Sequence, residues 1–357
     1  MQKPKGLKKG DKVAIVSLSS GILGEPFAAH QLKLGKQRLK SFGLEPVTMP
    51  NSLKGLDYLK QHPEARAQDL KDAFADDTIA GIFCAIGGED TYRLLPYLME
   101  DEAFMQDVQN KPKIFSGFSD TTVNHLMFYH LGMETFYGLN ILNDLAELED
   151  EMLPYTKETF LHYFAENELK KVPATQWWYE ERQDFSAEAV GTKRVRHAEK
   201  RGFELLQGTR NVSGPLLGGC LESLYECLAG ERHRDQNEII QQYHIFPTLE
   251  EWKGKIMFLE TSEEKASPEK LREMLSVFKK KGIFSVINGL IIGKPQNEAY
   301  YEEYKKVYKE VIDDDRLPIL YNLPFGHGFP RTLLPYGVEA TIDIDVKTII
   351  FDESYFS

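Results

Sequence analysis

The stretch KPKIFSGFSDTTVNHLMFYH, residues 111–130, carries the serine whose setting most invites chemistry. Ile114 and Phe115 read as the end of a buried strand, and Val123, Leu126, Met127 and His130 recur at helical spacing. Gly117 to Thr121 leave almost no room for a loop, so Ser119 stands on a strand-to-helix turn. A nucleophilic serine needs that exposure, a nearby base, and N–H groups facing the developing oxyanion. The same place suits a helix cap, and the elbow pattern G-x-S-x-G is only half met because Thr121 replaces its second glycine. Spacing alone leaves both readings open. In IGGED, residues 86–90, the paired glycines free backbone N–H groups to approach a ligand, as an oxyanion donor would, or make a plain turn.

Among nine histidines, His327 differs from the rest. PFGHGFPRTLLPYG sets it between glycines with prolines on both sides, a rigid loop of the kind a base site requires, or an exposed loop. A general base needs an orienting carboxylate, and Glu260 closes the apolar run KIMFLE at its carboxyl end. Glu263 and Glu264 read instead as solvated residues at the start of the next helix. Asp120 adjoins Ser119 and more naturally offers its backbone N–H than a side chain.

These residues need elements to hold them. KVAIVSLS, EPVTM, IAGIFCAI and the run before Ser119 read as strands, separated by helical patterns such as PFAAHQLKLGKQRLKSFG and PEARAQDLKDAFADD. Strict βα alternation implies a mostly parallel sheet covered on both faces. Ligands of such sheets bind beyond the carboxyl ends of the strands, where IGGED and GFSD both fall. The second half mixes a helix in CLESLYECLAG, strands in KGKIMFLE, SVINGLIIG and LPILYNLP, and the alternating end GVEATIDIDVKTIIF. SPEKLREMLSVFKKKG is a fully punctuated helix, with Ser267 as N-cap, Pro268 in the first turn and Gly282 beyond the end. The expected organisation is an α/β domain over 1–165, a charged linker with an aromatic loop over 166–200, and a mixed α/β domain over 201–357.

A chain of 357 residues exceeds what one core usually serves, which supports two domains. The net charge of −12 argues against nucleic acid or an anionic membrane as the main partner. The basic start followed by VAIVSL is too short for a signal segment and reads as a first strand. No run approaches the ~18 apolar residues of a membrane helix. Cys84, Cys220 and Cys227 lack metal-ligand spacing and leave one over, which fits a reducing cytoplasm.

GFSD at 117–120, AIGG followed by RLLPYL, LGGCLESL at 217–224, FLE at 258–260 and FGHGFPRTLLPYG at 325–337 come in the order of one known family. The sequence resembles the LD-carboxypeptidase and microcin C self-immunity serine peptidases nearly end to end. That resemblance implies a flavodoxin-like N-terminal domain bearing Ser119, a C-terminal domain bearing Glu260 and His327, and an active site at the junction. It implies a Ser119–Glu260–His327 triad, with oxyanion donors from the backbone N–H groups of Gly88 and Asp120. It implies a homodimer needing no metal or cofactor. The substrate would be a small peptide or peptidyl-nucleotide. IGGEDTYRLLPYL and QWWYEERQDF look closer to the microcin branch, which cleaves the amide between a peptidyl aspartate and a nucleotide-like group. There Trp178 would stack on the base, while the second aromatic of the pattern is displaced to Phe185. The alternatives are removal of terminal D-alanine from murein tetrapeptides, and a non-catalytic protein that binds a small ligand in the cleft.

Overall fold

The apolar runs of the first half form β1 (Lys12–Val16), β2 (Glu45–Thr48), β3 (Ile79–Cys84), β4 (Ile114–Gly117) and the two-residue β5 (Phe136–Tyr137). In the computed structural model, which describes all 357 residues, they pair in parallel in the order β2-β1-β3-β4-β5. This is the flavodoxin-like order, with its reversal between β1 and β3. β4 is buried throughout and β1 and β3 nearly so, as strands must be when helices cover both faces of a sheet. Helices Ala29–Ser41, Pro63–Ala75 and Thr122–His130 stand where the patterns put them. Glu102–Asn110 is a further helix, capped by Asp101, whose carboxylate accepts the Phe104 N–H at 3.0 Å.

The segment 166–200, expected as a linker with a loop, contains the antiparallel pair β6 (Trp177–Tyr179) and β7 (Arg196–Ala198). It is not a free tether. Buried Glu147 of the first half binds Arg182 at 2.8 Å and Arg194 at 2.5 Å, so the charges that looked solvated pin the segment down.

The second half supplies β8 (Glu204–Gln207), β9 (Val212–Cys220), β10 (Ile256–Glu260), β11 (Gly289–Gly293), β12 (Ile319–Leu323), β13 (Leu334–Pro335), β14 (Glu339–Asp343) and β15 (Thr348–Phe351). Its sheet runs β15-β14-β9-β10-β11-β12-β8, with β9 to β12 parallel and the flanking strands antiparallel. β13 departs from this sheet and pairs with β5 at the edge of the first. One contiguous cluster of buried apolar side chains spans both halves, so they are fixed against each other. No helix is long and apolar enough to cross a membrane.

Candidate active site

Ser119 follows β4 after one extended residue, Phe118, and adopts φ of +66° before the helix Thr122–His130 begins. A non-glycine residue held in the left-handed region costs roughly 1–3 kcal/mol and persists where the surroundings impose it. Its hydroxyl makes no capping bond, which removes the helix-cap reading. Instead Ser119 Oγ lies 3.2 Å from His327 Nε2.

His327 stands on the loop after β12. Its Nδ1–H donates to Glu260 Oε2 at 2.8 Å, and its backbone N–H donates to the same oxygen at 3.0 Å. Glu260, at the carboxyl end of β10, is 1% exposed. The loop can close this tightly because residue 326 is glycine. At φ of +80°, any Cβ there would overlap Glu260 Cγ, Cδ and Oε2. The structure thus brings Ser119, His327 and Glu260 into one hydrogen-bonded chain, with the serine from one sheet and its partners from the other.

Tyr137 belongs to this chain and was not foreseen. Its hydroxyl donates to Glu260 Oε1 and accepts the Ser119 N–H at 3.1 Å. Burial, then the neighbouring Glu260 charge, pushes its pKa well above the ordinary value, so it stays a donor. The only sequence signal was a tyrosine ending a strand at the sheet's carboxyl edge.

The Gly87-Gly88 turn packs directly on the elbow. A Cβ on Gly87 would sit 2.8 Å from Ser119 Cβ and 3.1 Å from its Oγ. The Gly88 N–H has no hydrogen-bond partner within the protein, as a donor awaiting an oxyanion would. The Asp120 side chain, expected to matter less than its N–H, ties the turn in place. It accepts Ser19 Oγ–H at 2.7 Å and Thr91 N–H at 2.9 Å. Ser19 Oγ in turn accepts the Glu89 N–H at 3.0 Å, and buried Arg66 binds Asp90 at 2.6 Å.

By sequence, Glu263 is expected to be a solvated helix-start residue. Its carboxylate instead contacts His327 Nε2 at 2.8 Å, while Glu264 pairs with Arg232. Burial works to lower the His327 pKa, but the charges and hydrogen bonds of Glu260 and Glu263 outweigh it and raise it to about 10. The hydrogen bond to His327 carries Glu263 down to about 2.

The serine, the histidine, Gly88 and Glu263 line a cavity of about 380 Å³ whose walls include the aromatic rings of Phe27 and Phe185. Phe27 is 60% exposed and Phe185 37% exposed. Trp178 does not line it. That ring stacks on His197 at 4.2 Å, with Lys294 Nζ 5.2 Å from its centroid. The aromatic wall therefore comes from Phe185, the displaced position, whose carbonyl His30 Nε2 holds at 3.0 Å. Cys220, Glu260 and His327 are the one trio close enough to share a metal ion. Both Glu260 oxygens are already engaged and burial raises the Cys220 thiol pKa well above its usual value, so the trio does not read as a metal centre.

A family model described as the LD-carboxypeptidase N-terminal domain matches residues 13–138, and one described as its C-terminal domain matches residues 213–342. A MccF-like protein from Streptococcus pneumoniae, solved in complex with AMP, is 51% identical, with a TM-score of 0.93 over 96% of this chain and 99% of that one. A probable murein peptide carboxypeptidase of Bacillus subtilis is 26% identical over 98% of this chain and 94% of its own. The Microcin C7 self-immunity protein MccF of Escherichia coli is 25% identical over 82% of this chain and 79% of its own.

Proposed function

The chain belongs to the LD-carboxypeptidase family of serine peptidases, and from that premise we propose that it hydrolyses the amide joining an aspartyl residue to a nucleotide-like group. Ser119 is the nucleophile, His327 the general base and Glu260 the group that orients it. The observation that carries this assignment is the unbroken bond chain Glu260–His327–Ser119, with the serine held at positive φ.

His327 Nε2 takes the Ser119 proton as Oγ attacks the carbonyl carbon. The N–H groups of Gly88 and Asp120 receive the oxyanion. Collapse expels the amide nitrogen, which takes the proton from Nε2. Water, deprotonated by the same nitrogen, then releases the acid and restores the serine. Glu260 holds the ring in the tautomer whose Nδ1–H points at the carboxylate and stabilises the imidazolium formed in each half-reaction.

Two observations support a nucleotide-like leaving group. Phe27 and Phe185 offer exposed ring faces at the cavity, and the Streptococcus pneumoniae protein, half identical to this chain, is seen with AMP. A base stacked on an aromatic is worth roughly 1–3 kcal/mol. Phe185→Ala should therefore cost about 5- to 150-fold in kcat/KM on aspartyl sulfamoyl adenosine, and Trp178→Ala far less. Removal of D-alanine from murein tetrapeptides is the second reading, favoured by the full-length carboxypeptidase relative. Wild-type turnover of both substrates side by side decides. Faster cleavage of the tetrapeptide would overturn the nucleotide reading.

Three buried free thiols support a reducing compartment such as the cytoplasm. Assembly as a homodimer belongs to the same proposal, and light scattering on the purified protein tests it.

A further inference from the structure

One polar side chain in the cavity wall has no partner. Gln31 is 7% exposed, and neither its carboxamide oxygen nor its nitrogen bonds to any group of the protein. Neither atom is sealed in, so both face the cavity. The other polar groups there are engaged. Arg331 binds Asp144 at 2.7 Å and the His327 carbonyl at 3.3 Å. Asn143 accepts from Asn140 at 2.9 Å, and Ser20 accepts the Ile22 N–H at 3.4 Å. Gln296 reaches Glu181 and the His327 carbonyl at 3.5 Å each. Burying an amide without a hydrogen bond costs free energy, and nearly all such groups in folded proteins are paired. A carboxamide left open in a substrate cavity is one that a ligand completes.

The neighbours of Gln31 say what kind of ligand. Phe27 precedes it by four residues, on the turn Pro26–Ala28 that runs straight into the helix Ala29–Ser41, so ring and amide share one face. His30 holds the Phe185 carbonyl at 3.0 Å and brings the second ring to the same turn. Exposure falls from 60% at Phe27 and 37% at Phe185 to 7% at Gln31. The rings therefore stand at the mouth, with the amide behind them. A flat heterocycle lying against the rings turns an edge toward Gln31. A carboxamide presents an acceptor beside a donor in one plane, and its complement is a donor beside an acceptor. Adenine offers that pair in its 6-amino group and the adjoining ring nitrogen, the match that Gln and Asn make with this base in DNA. An unsubstituted purine has only ring acceptors on that edge and leaves the Gln31 oxygen unpaired.

Resting on the nucleotide-like leaving group proposed above, we infer that Gln31 is a specificity-determining residue that reads the edge of the base. Its Oε1 accepts the 6-amino N–H of adenine, and its Nε2–H donates to the ring nitrogen alongside. The rings hold any base by its face, and Gln31 chooses among them. The contact lies away from the reacting carbonyl and is the same before and during acyl transfer, so its loss raises KM more than it lowers kcat.

The test compares hydrolysis of aspartyl sulfamoyl adenosine with that of its purine riboside counterpart, which lacks only the 6-amino group. Both are given to wild type and to Gln31→Met, whose side chain has similar length and no amide. Wild type should favour the adenosine substrate by about tenfold or more in kcat/KM. Gln31→Met should cleave the two equally, with the loss on the adenosine substrate taken in KM. A variant that loses activity on both substrates alike and keeps the wild-type ratio would mean that Gln31 only supports the wall, and it overturns the inference. A wild type that does not distinguish the two substrates overturns it as well. Failure of wild type to cleave either sulfamoyl nucleoside overturns the nucleotide reading and takes this inference with it.

Discussion

Tyr137 shows what a single side chain does here that no motif announced. It joins the backbone of Ser119 to the carboxylate of Glu260, which lies 123 positions beyond the tyrosine, a pairing that only the folded chain creates. Tyr137→Phe would leave a buried carboxylate oxygen and the Ser119 N–H unpaired, at about 1–3 kcal/mol for each orphaned group. Circular-dichroism melting should show a lower Tm, and kcat should fall while KM changes little. His327 sets the pH dependence. Its folded pKa, raised to about 10 from 6.5, gives stability that is fully present below 6.5 and is lost as pH rises through 10. Wild-type Tm should therefore fall more steeply between about pH 7 and pH 10 than that of His327→Gln, whose side chain does not titrate there. Parallel curves would contradict the ion-paired histidine. Ser119, Glu260 and His327 were legible as candidates because each sits at a strand end or rigid loop. Glu263 was not, since an exposed acid beside a helix start looks the same whether or not a histidine folds over it.

At the scale of elements, punctuation was the readable part. Helix Pro268–Lys280 begins and ends where Ser267, Pro268 and Gly282 put it, the Ser267 side chain accepting the Lys270 N–H at 3.3 Å. β9 escaped the pattern because VSGPLLGGC carries three glycines and a proline. Its glycines serve close packing, since a Cβ on Gly218 would overlap the Phe258 backbone of β10. Helix Tyr301–Ile312 also went unread, entered from Tyr300 in a left-handed conformation with none of the usual capping residues. β13 was beyond reach in principle, because its partner is β5, far upstream in the first sheet, with Leu334 opposite Tyr137. The elements that build the site meet through Asp120, whose carboxylate holds the turn of Gly87 and Gly88 against the elbow. Asp120→Ala should free that turn and misplace one oxyanion donor, lowering kcat by up to about 10²-fold with KM little changed. An equal loss in KM alone would mean that the turn binds substrate instead.

At the scale of the whole molecule, two sheets face each other with their carboxyl edges, and neither holds a complete site. Ser119 and the Gly87-Gly88 turn come from the flavodoxin-like half, while Glu260 and His327 come from the other. β13 and the apolar cluster shared by both halves lock them together, so the serine–histidine contact is a property of their assembly. The alternation of strands and helices made the first half and the position of the site legible. The joining of the halves was not legible, because it depends on contacts between residues far apart in sequence. The central claim, that a serine on one sheet is activated by a histidine on the other, has a direct measurement. Purified wild type and His327→Ala are treated with a fluorophosphonate, and the modified residue is mapped by peptide mass spectrometry. The account predicts a single adduct on Ser119 in wild type and its loss in His327→Ala. An adduct on Ser116, or Ser119 labelling that proceeds unchanged without the histidine, would contradict it.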